Sequence, residues 1–574
     1  MKNFKTLVSL VLVCASVFGC MIFSTSAASV DGFKDLNKNA DYYEAVKWAV
    51  DNGYMKGMSD KVFSPNTTLT RAQFATLMAG FEGADLNAYK GKKIFNDVKT
   101  NAWFATTAAW AYENGIMSGT GNNNFSPNTV ITREQIALLV KNYVGFKGIY
   151  LEKVTPEVRL LDRGTKRASA WASEAVEYAY KTDYMQLDEG NRFNPKNKVT
   201  RAEAATILYS LNNAIERTEV KHERRFVGYL DLYTSYGNVD FASYDILNLL
   251  PVKASGSSKT INDSGLKRFK NIKAQASAEN PDLKYILTLT VDSGADIEQW
   301  LYPYANCEDF ANKTVALVKE YDLDGVDFDY EFPTGAISQK NLEYFLKVLR
   351  EKLDDLKVEM NKPEDYEYLI TMAIPGGLYA FSLYKDLSEL QHYVDYFNFM
   401  DYDLMIGEAR TVAYPHATVY GPSFGYGHGT YDDIIRSLEM GVQRDKIVIG
   451  SGTYVQAWRG VEGRYDEELG IWIGLFGTGR WAGDVSTPIA SDLGLINYED
   501  NKPINGYYTY FDKDTHSVSW YNPDSKEFRS CDEYWSLEEK CRLINEYNIG
   551  GLMLFHCNTV SGTDLAAKIN EWMG

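Results

Sequence analysis

The chain has 574 residues, 45% apolar and 24% charged, with a formal net charge of −18. That length allows two to four units with sizeable cores, and the apolar fraction excludes a disordered chain. The acidity argues against nucleic acid or an anionic membrane as main partner, whereas a neutral or locally cationic polymer tolerates it.

Lys2 and Lys5 precede an uncharged stretch from Thr6 to Phe23, and Ser26, Ala27 and Ala28 offer a cleavage site. Residues 1–28 therefore read as an export signal. The alternatives are an uncleaved anchor or, at Val17-Phe18-Gly19-Cys20, a lipoprotein box. No later segment is long and apolar enough to span a bilayer. Past the signal the cysteines are Cys307, Cys531, Cys541 and Cys557, without Cys-x-x-Cys or His-Glu-x-x-His, so spacing gives no case for zinc. Cys531 and Cys541 suit a local disulfide, and buried free thiols are the equal alternative.

The next third repeats itself. Phe63 to Arg71 reads FSPNTTLTR, Phe125 to Arg133 reads FSPNTVITR, and Phe193 to Arg201 reads FNPKNKVTR. A helical pattern precedes each copy, and Asn52-Gly53 and Asn114-Gly115 end the first two helices. A second helix opens after Thr70, Thr132 and Thr200, whose hydroxyls are placed to cap it. The expected repeats span 29–87, 88–150 and 151–213, with a linker at 214–224. With Thr70-Arg71-Ala72-Gln73 and the Phe-x-Asp starts at Phe33 and Phe95, these units resemble S-layer homology domains. The resemblance implies an α-helical bundle that grips an anionic secondary cell-wall polysaccharide, with Arg71, Arg133 and Arg201 as motif arginines. A guanidinium fits acidic sugar substituents; alternatively each arginine ties its loop to the next helix. The third repeat departs most, with Asn194 for Ser and Thr182-Asp183 for Asn-Gly.

From residue 225 onward, strand-like runs alternate with amphipathic helices. The expected strands are Phe226–Asp231, Tyr244–Leu249, Tyr285–Thr290, Gly325–Glu331, Tyr368–Ile374, Tyr393–Met400, Lys446–Gly452 and Gly551–Phe555. Eight such strands imply an α/β fold, a (β/α)8 TIM barrel over 225–574 with its chemistry at the strands' carboxyl ends. The long gap before the last strand implies an α+β insertion between strands 7 and 8, about 459–535.

The chemistry concentrates at Asp324-Gly325-Val326-Asp327-Phe328-Asp329-Tyr330-Glu331. Alternation along a strand puts Asp327, Asp329 and Glu331 on one face, where stacked carboxyls repel and at least one must hold a proton or find a partner. That makes one of them a general acid candidate. Glu320-x-Asp322-x-Asp324-Gly325 also approaches a calcium loop, but Glu320 at its first position, Asp327 at its eighth and Pro333 after it argue against one. The octet resembles the signature of glycoside hydrolase family 18. Met400-Asp401-Tyr402-Asp403, Lys446 to Trp458 and Gly550 to Met553 match further family segments in order.

The resemblance implies a retaining, substrate-assisted mechanism without metal or organic cofactor. Glu331 would be the acid, Asp329 would orient the substrate acetamide, and Asp327 would share its proton. Tyr402 and Asp403 would complete the catalytic set, and Met400, Tyr454, Trp458 and Phe555 would contact sugar. Three departures bear on substrate fit: Asp292-Ser293-Gly294 lacks the Ser-x-Gly-Gly of the third strand, Phe555 replaces a Trp, and Val455-Gln456 replaces Gly-Arg. The expected function is a secreted, wall-attached glycosidase on N-acetylglucosamine polymers such as chitin. The alternatives are an endo-β-N-acetylglucosaminidase on N-glycans or peptidoglycan, and a chitin-binding surface lectin.

Overall fold

The computed structural model describes Val30 to Gly574 except residues 292–293, 332, 334–335, 378–381, 385, 405–410, 422–427 and 486–501. The export signal lies outside these residues. The chain forms two compact units that divide between Thr218 and Glu219.

The first unit is built from three helix pairs: Tyr43–Asp51 with Arg71–Glu82, Ala105–Glu113 with Arg133–Lys147, and Ser173–Lys181 with Arg201–Glu219. The first helices end on a left-handed residue, Gly53, Gly115 or Asp183, so the third repeat keeps the turn without the glycine. Thr70 and Thr200 cap the second helices of the first and third repeats by accepting from Gln73 N and Glu203 N. Thr132 does not: its hydroxyl is buried without a partner, and instead Gln135 Oε1 accepts from Thr132 N at 3.1 Å.

The motif loops close cyclically. Leu69 N donates to Val199 O, Val199 N to Ile131 O, and Ile131 N to Leu69 O, at 3.0, 3.1 and 3.0 Å. Phe63, Phe125 and Phe193 are fully buried around this junction. Each arginine continues the cycle. Arg71 Nε and Nη2 donate to Phe125 O and Ser118 O at 2.9 and 2.8 Å, Arg133 to Phe193 O and Gln186 O, and Arg201 to Phe63 O and Lys56 O. Each guanidinium also lies over the phenylalanine ring it clasps, 4.6–5.1 Å from the centroid. The structure thus assigns these arginines an inter-repeat clasp; Arg133 additionally pairs with Glu203.

In the second unit all eight expected strands form: Arg225–Asp231, Ile246–Ser255, Lys284–Val291, Gly325–Asp329, Leu369–Pro375, Tyr396–Met400, Ile447–Gly452 and Gly551–Phe555. They pair in parallel, and the first strand closes the barrel by pairing with both the second and the last. Closure is tight at Gly551, where φ is 141° and a Cβ would stand 2.0 Å from Arg225 O. The fourth strand ends at Asp329, so Glu331 lies two residues beyond the ladder.

Between the seventh and eighth strands the chain builds a separate five-stranded antiparallel sheet. Its order is Arg480–Val485, Val455–Arg459, Glu527–Cys531, Ser517–Asn522 and Tyr508–Asp512. It begins at Val455, ahead of the expected 459, and among the described residues it contains no helix before the one that opens at Tyr534. Cys531 lies on this sheet and Cys541 on that helix, and both are buried free thiols, as are Cys307 and Cys557. Among the described residues no helix is long and apolar enough to cross a membrane.

Candidate active site

The three carboxyls of the octet climb from the barrel interior to its mouth. Asp327 is fully buried and is held by three donors: Tyr229 Oη to Oδ2 at 2.8 Å, and Thr371 Oγ1 and Asn398 Nδ2 to Oδ1 at 2.6 and 3.3 Å. Burial pushes its pKa up, and those three bonds oppose the rise. They come from the first, fifth and sixth barrel strands, so only closure of the barrel assembles them. Asp329 is half-buried, and its Oδ1 is buried without a partner. Burial first, then the charges of Glu331 and Asp327, hold its pKa well above the usual carboxylate value.

Glu331 is solvent-exposed by area, yet the surrounding protein still desolvates its carboxyl, as at the wall of an open cleft. That desolvation raises its pKa, the bond from Asp329 opposes the rise, and the Asp403 charge adds to it. Asp329 and Glu331 are thus coupled carboxyls whose mutual bond favours sharing a proton, above an Asp327 that accepts three hydrogen bonds.

The opposite wall follows the sixth strand. Tyr402 is buried, and Asp403 is solvent-accessible in a left-handed conformation, φ 57°. Three groups hold Asp403. His416 Nδ1 faces its Oδ1 at 3.2 Å and its backbone N at 3.4 Å, and Gln456 Nε2 donates to Oδ1 at 3.1 Å. Tyr454 contributes a side-chain hydrogen bond. His416 Nε2 faces Tyr454 O at 3.2 Å, which fixes the ring against this wall. Burial would raise the Asp403 pKa, but the bonds and charge of His416, with Tyr454 and Gln456, bring it below the usual value. The site therefore pairs a carboxyl set that retains a proton with a carboxylate that stays ionised, the separation that acid and base roles require.

An aromatic floor joins the walls. Tyr402 stacks on Phe555 with centroids 5.4 Å apart, and Tyr454 meets Tyr402 and Phe555 edge-on at 6.0 and 5.9 Å. Met400 packs against the same cluster. Trp458 does not reach it. This indole is 1% exposed in the core of the five-stranded sheet, against Phe528 at 5.6 Å. Two residues along a strand carry it about 6–7 Å past Gln456, into packed side chains. Tyr229, Thr371, Asn398 and His416 join the site without standing in any motif that marks them, and Gln456 is marked in the sequence only as a departure from Gly-Arg.

Comparison with known proteins bears on the family and the fold. The profile for glycosyl hydrolases family 18 matches residues 225–559, and that for the S-layer homology domain matches 32–75, 94–137 and 165–205. The chain is similar to an amylopullulanase of Thermoanaerobacterium thermosulfurigenes, 34% identical over 27% of this chain and 8% of that protein. It is also similar to chitinase A1 of Niallia circulans, 26% identical over 46% of this chain and 39% of the relative. Both alignments thus span well under half of the relative. Among solved structures, a family 18 N-acetylglucosaminidase from Paenibacillus barengoltzii superposes with a TM-score of 0.51 at 21% identity, over 61% of this chain and all of the other. That likeness establishes the fold.

Proposed function

The chain belongs to glycosyl hydrolases family 18 and carries three S-layer homology domains, and from that premise we propose that it is a secreted, cell-surface-attached hydrolase of β-1,4-linked N-acetylglucosamine polymers, chitin and chito-oligosaccharides foremost. The observation that carries this reading is the stacked carboxyl set at the barrel mouth, with Asp327 buried under three donors, Asp329 above it and the accessible Glu331 beside Asp329.

Glu331 is the general acid for the glycosidic oxygen. It is the accessible member of the set, and its raised pKa keeps it protonated closer to neutral pH than an ordinary carboxyl. Asp329 shares its proton with Glu331 and sits deeper in the site, so it is placed as a hydrogen-bonding partner and not as a carboxylate nucleophile. A retaining reaction then draws its nucleophile from the substrate, the acetamide oxygen of the sugar whose bond breaks, the known exception to the two-carboxylate scheme. Asp329 hydrogen-bonds the acetamide N–H as that oxygen attacks C1, and the Asp327 anion below supports the positive charge that develops. The Tyr402 hydroxyl, its pKa raised far above neutral by burial, stays a donor for the acetamide oxygen, and Asp403 fixes the ring from the opposite wall. Water then opens the oxazolinium from the face the leaving group vacated, with Glu331 as base, so anomeric configuration is retained. The requirement for an N-acetyl group follows from the chemistry.

The S-layer homology repeats hold this enzyme on a wall polymer. Arg71, Arg133 and Arg201 each use two of their five N–H donors in the inter-repeat clasp and so maintain the bundle, and the remaining donors are the ones proposed to meet the acidic wall polysaccharide.

The test compares the chain with Glu331→Gln on chito-oligosaccharides, a high-mannose glycopeptide and peptidoglycan, with products read by mass spectrometry. Removing the acid should cost about 10² to 10⁴ in rate while leaving the fold intact. Cleavage of only the glycopeptide or peptidoglycan would replace chitin with that substrate, and binding without turnover would make the barrel a lectin.

A further inference from the structure

Tyr402 and Asp403 leave the sixth barrel strand on a turn that is costly to hold. The strand ends at Met400, Asp401 N donates to Phe399 O at 3.0 Å, and Asp403 is left-handed without being glycine. Such a conformation persists only where its surroundings fix it. On the cleft side His416, Gln456 and Tyr454 hold Asp403. On the other side the turn rests on Asp401, which is fully buried.

Asp401 is the centre of a buried chain of ionisable groups that the proposed reaction does not use. Its Oδ2 accepts from Gly450 N on the seventh strand at 3.0 Å. Its carboxyl is also hydrogen-bonded to that of Asp433, the fully buried fourth residue of the helix Thr430–Met440. Asp433 in turn accepts from Gly377 N, just past the fifth strand, at 3.2 Å, and faces His428 Nε2 at 2.6 Å. Gly376 N donates to Met400 O at 3.1 Å, and a Cβ on Gly376 would stand 2.7 Å from that oxygen and 3.1 Å from Asp433 Oδ2. The helix carboxyl therefore lies directly against the end of the sixth strand. Lys540 donates to Gly450 O at 2.7 Å and to Asp401 O at 3.4 Å. The carboxyl ends of the fifth, sixth and seventh strands are thus tied through one carboxyl pair.

Two facing carboxyls cannot both ionise without penalty, and burial adds to it. Burial first, then the Asp433 charge and the bond to it, hold the Asp401 pKa well above the usual value, against the Lys540 charge and the Gly450 bond. Among the described residues no N–H or hydroxyl reaches Asp401 Oδ1, which leaves that oxygen to carry a proton. A protonated Asp401 donates to Asp433 and accepts from Gly450 N, which suits both neighbours. The other charged groups around the pair are His428, Asp432 at 4.0 Å from His428 Nδ1, Lys540 and its partner Asp532.

We propose that Asp401 is a positioning residue for the hydrolytic reaction: with Asp433 it forms a proton-sharing carboxyl pair that fastens the turn carrying Tyr402 and Asp403 to the neighbouring strands. The pair fixes where the Tyr402 hydroxyl and the Asp403 carboxylate stand as the acetamide attacks, so it acts on turnover more than on binding. The inference rests on the hydrolytic reading above.

The test compares the full chain with Asp401→Ala and Asp401→Asn on chito-oligosaccharides, reading kcat, KM and the pH profile. Asparagine offers an N–H to Asp433 and an oxygen to Gly450 N, as the protonated acid does, and alanine offers neither. Asp401→Ala should lose about 10- to 100-fold in kcat, the scale of a misplaced catalytic group, with KM little changed. Its alkaline limb should also move to lower pH, because the Asp403 charge helps to raise the Glu331 pKa and a displaced Asp403 raises it less. A smaller folded fraction would lower kcat and leave that limb in place. Asp401→Asn should keep kcat within about twofold of the wild type and keep the limb. Wild-type turnover in the alanine variant, a loss with an unmoved limb, or an equal loss in the asparagine variant overturns the proposal. If Asp401→Ala does not fold, Asp433→Asn takes its place. Its amide has one acceptor oxygen for the neighbours that the carboxylate served with two, so the same loss and shift are expected, and unchanged kcat and limb would count against the pair. If the wild type turns over nothing, the hydrolytic reading has failed on its own. Crystal structures of the wild type and Asp401→Ala then decide, and an Asp403 carboxylate left in its wild-type place sinks the idea.

Discussion

Asp329→Asn should make the barrel more stable at alkaline pH while inactivating it. The wild-type carboxyl has one buried oxygen without a partner and meets Glu331 at the other. Its pKa lies well above the ordinary 3.8, chiefly through burial and then through the Glu331 and Asp327 charges. With the folded value above the unfolded one, the native state binds the extra proton. The stability this group confers is complete below pH 3.8 and is lost as pH rises through the folded value. Each pH unit inside that window is worth at most about 1.4 kcal/mol. Asparagine has no proton to lose, and its amide N–H donates to Glu331 at every pH.

We therefore expect a gain on the order of 1–3 kcal/mol at pH 8, the usual cost of one poorly satisfied buried polar group, and almost none at pH 4. The barrel transition should shift upward by a few degrees. Calorimetry of the full chain at pH 4, 6 and 8 reads the shift, and parallel chito-oligosaccharide turnover should show the loss of activity. An equal shift at all three values, or a lower Tm at pH 8, would refute the placement of the proton.

Variants at two further sites test the scaffold. Arg71→Ala removes bonds to Phe125 O and Ser118 O and the ring contact, and should destabilise the repeat bundle by roughly 2–3 kcal/mol in far-UV thermal melts. Arg71→Lys should recover little, because an ammonium does not reach both carbonyls as the planar fork does; wild-type stability in the lysine variant would contradict the clasp. Lys540 and Asp532 form a fully buried pair at 2.7 Å, and Lys540 also donates to Gly450 O at 2.7 Å. Lys540→Met should cost about 3 kcal/mol in urea unfolding, near the low end for a broken buried pair because Ser451 and Gly452 still bond Asp532. The double variant Lys540→Met/Asp532→Leu should regain part of that loss.

Much of this protein is legible along the chain. The three FxPxxxxTR copies announce three repeats, the eight apolar runs announce the barrel, and the octet announces where its chemistry sits. These signals are local: repetition, alternation and side-chain type depend only on neighbouring positions. The same locality misleads where a contact is long-range. Thr132 has the residue type of a cap yet its hydroxyl caps nothing, and that each motif arginine clasps carbonyls of the next repeat in the cycle is visible only in the fold.

Within the site the division is the same. Asp327, Asp329 and Glu331 come from one segment, so strand alternation alone is enough to group them. Their unequal chemistry comes from elsewhere: Tyr229, Thr371 and Asn398 hold Asp327, and no donor reaches Asp329 Oδ1. Trp458 shows the limit most clearly: a strand tryptophan beside the site in sequence, it is carried by strand pairing into the buried core of the five-stranded sheet, against Phe528. The sequence by itself determined the repeats, the barrel and the segment that carries the chemistry, because those rest on local pattern. The unequal environments of the three carboxyls and the buried place of Trp458 were decided only by the tertiary structure, because burial and partner geometry exist only once distant segments meet.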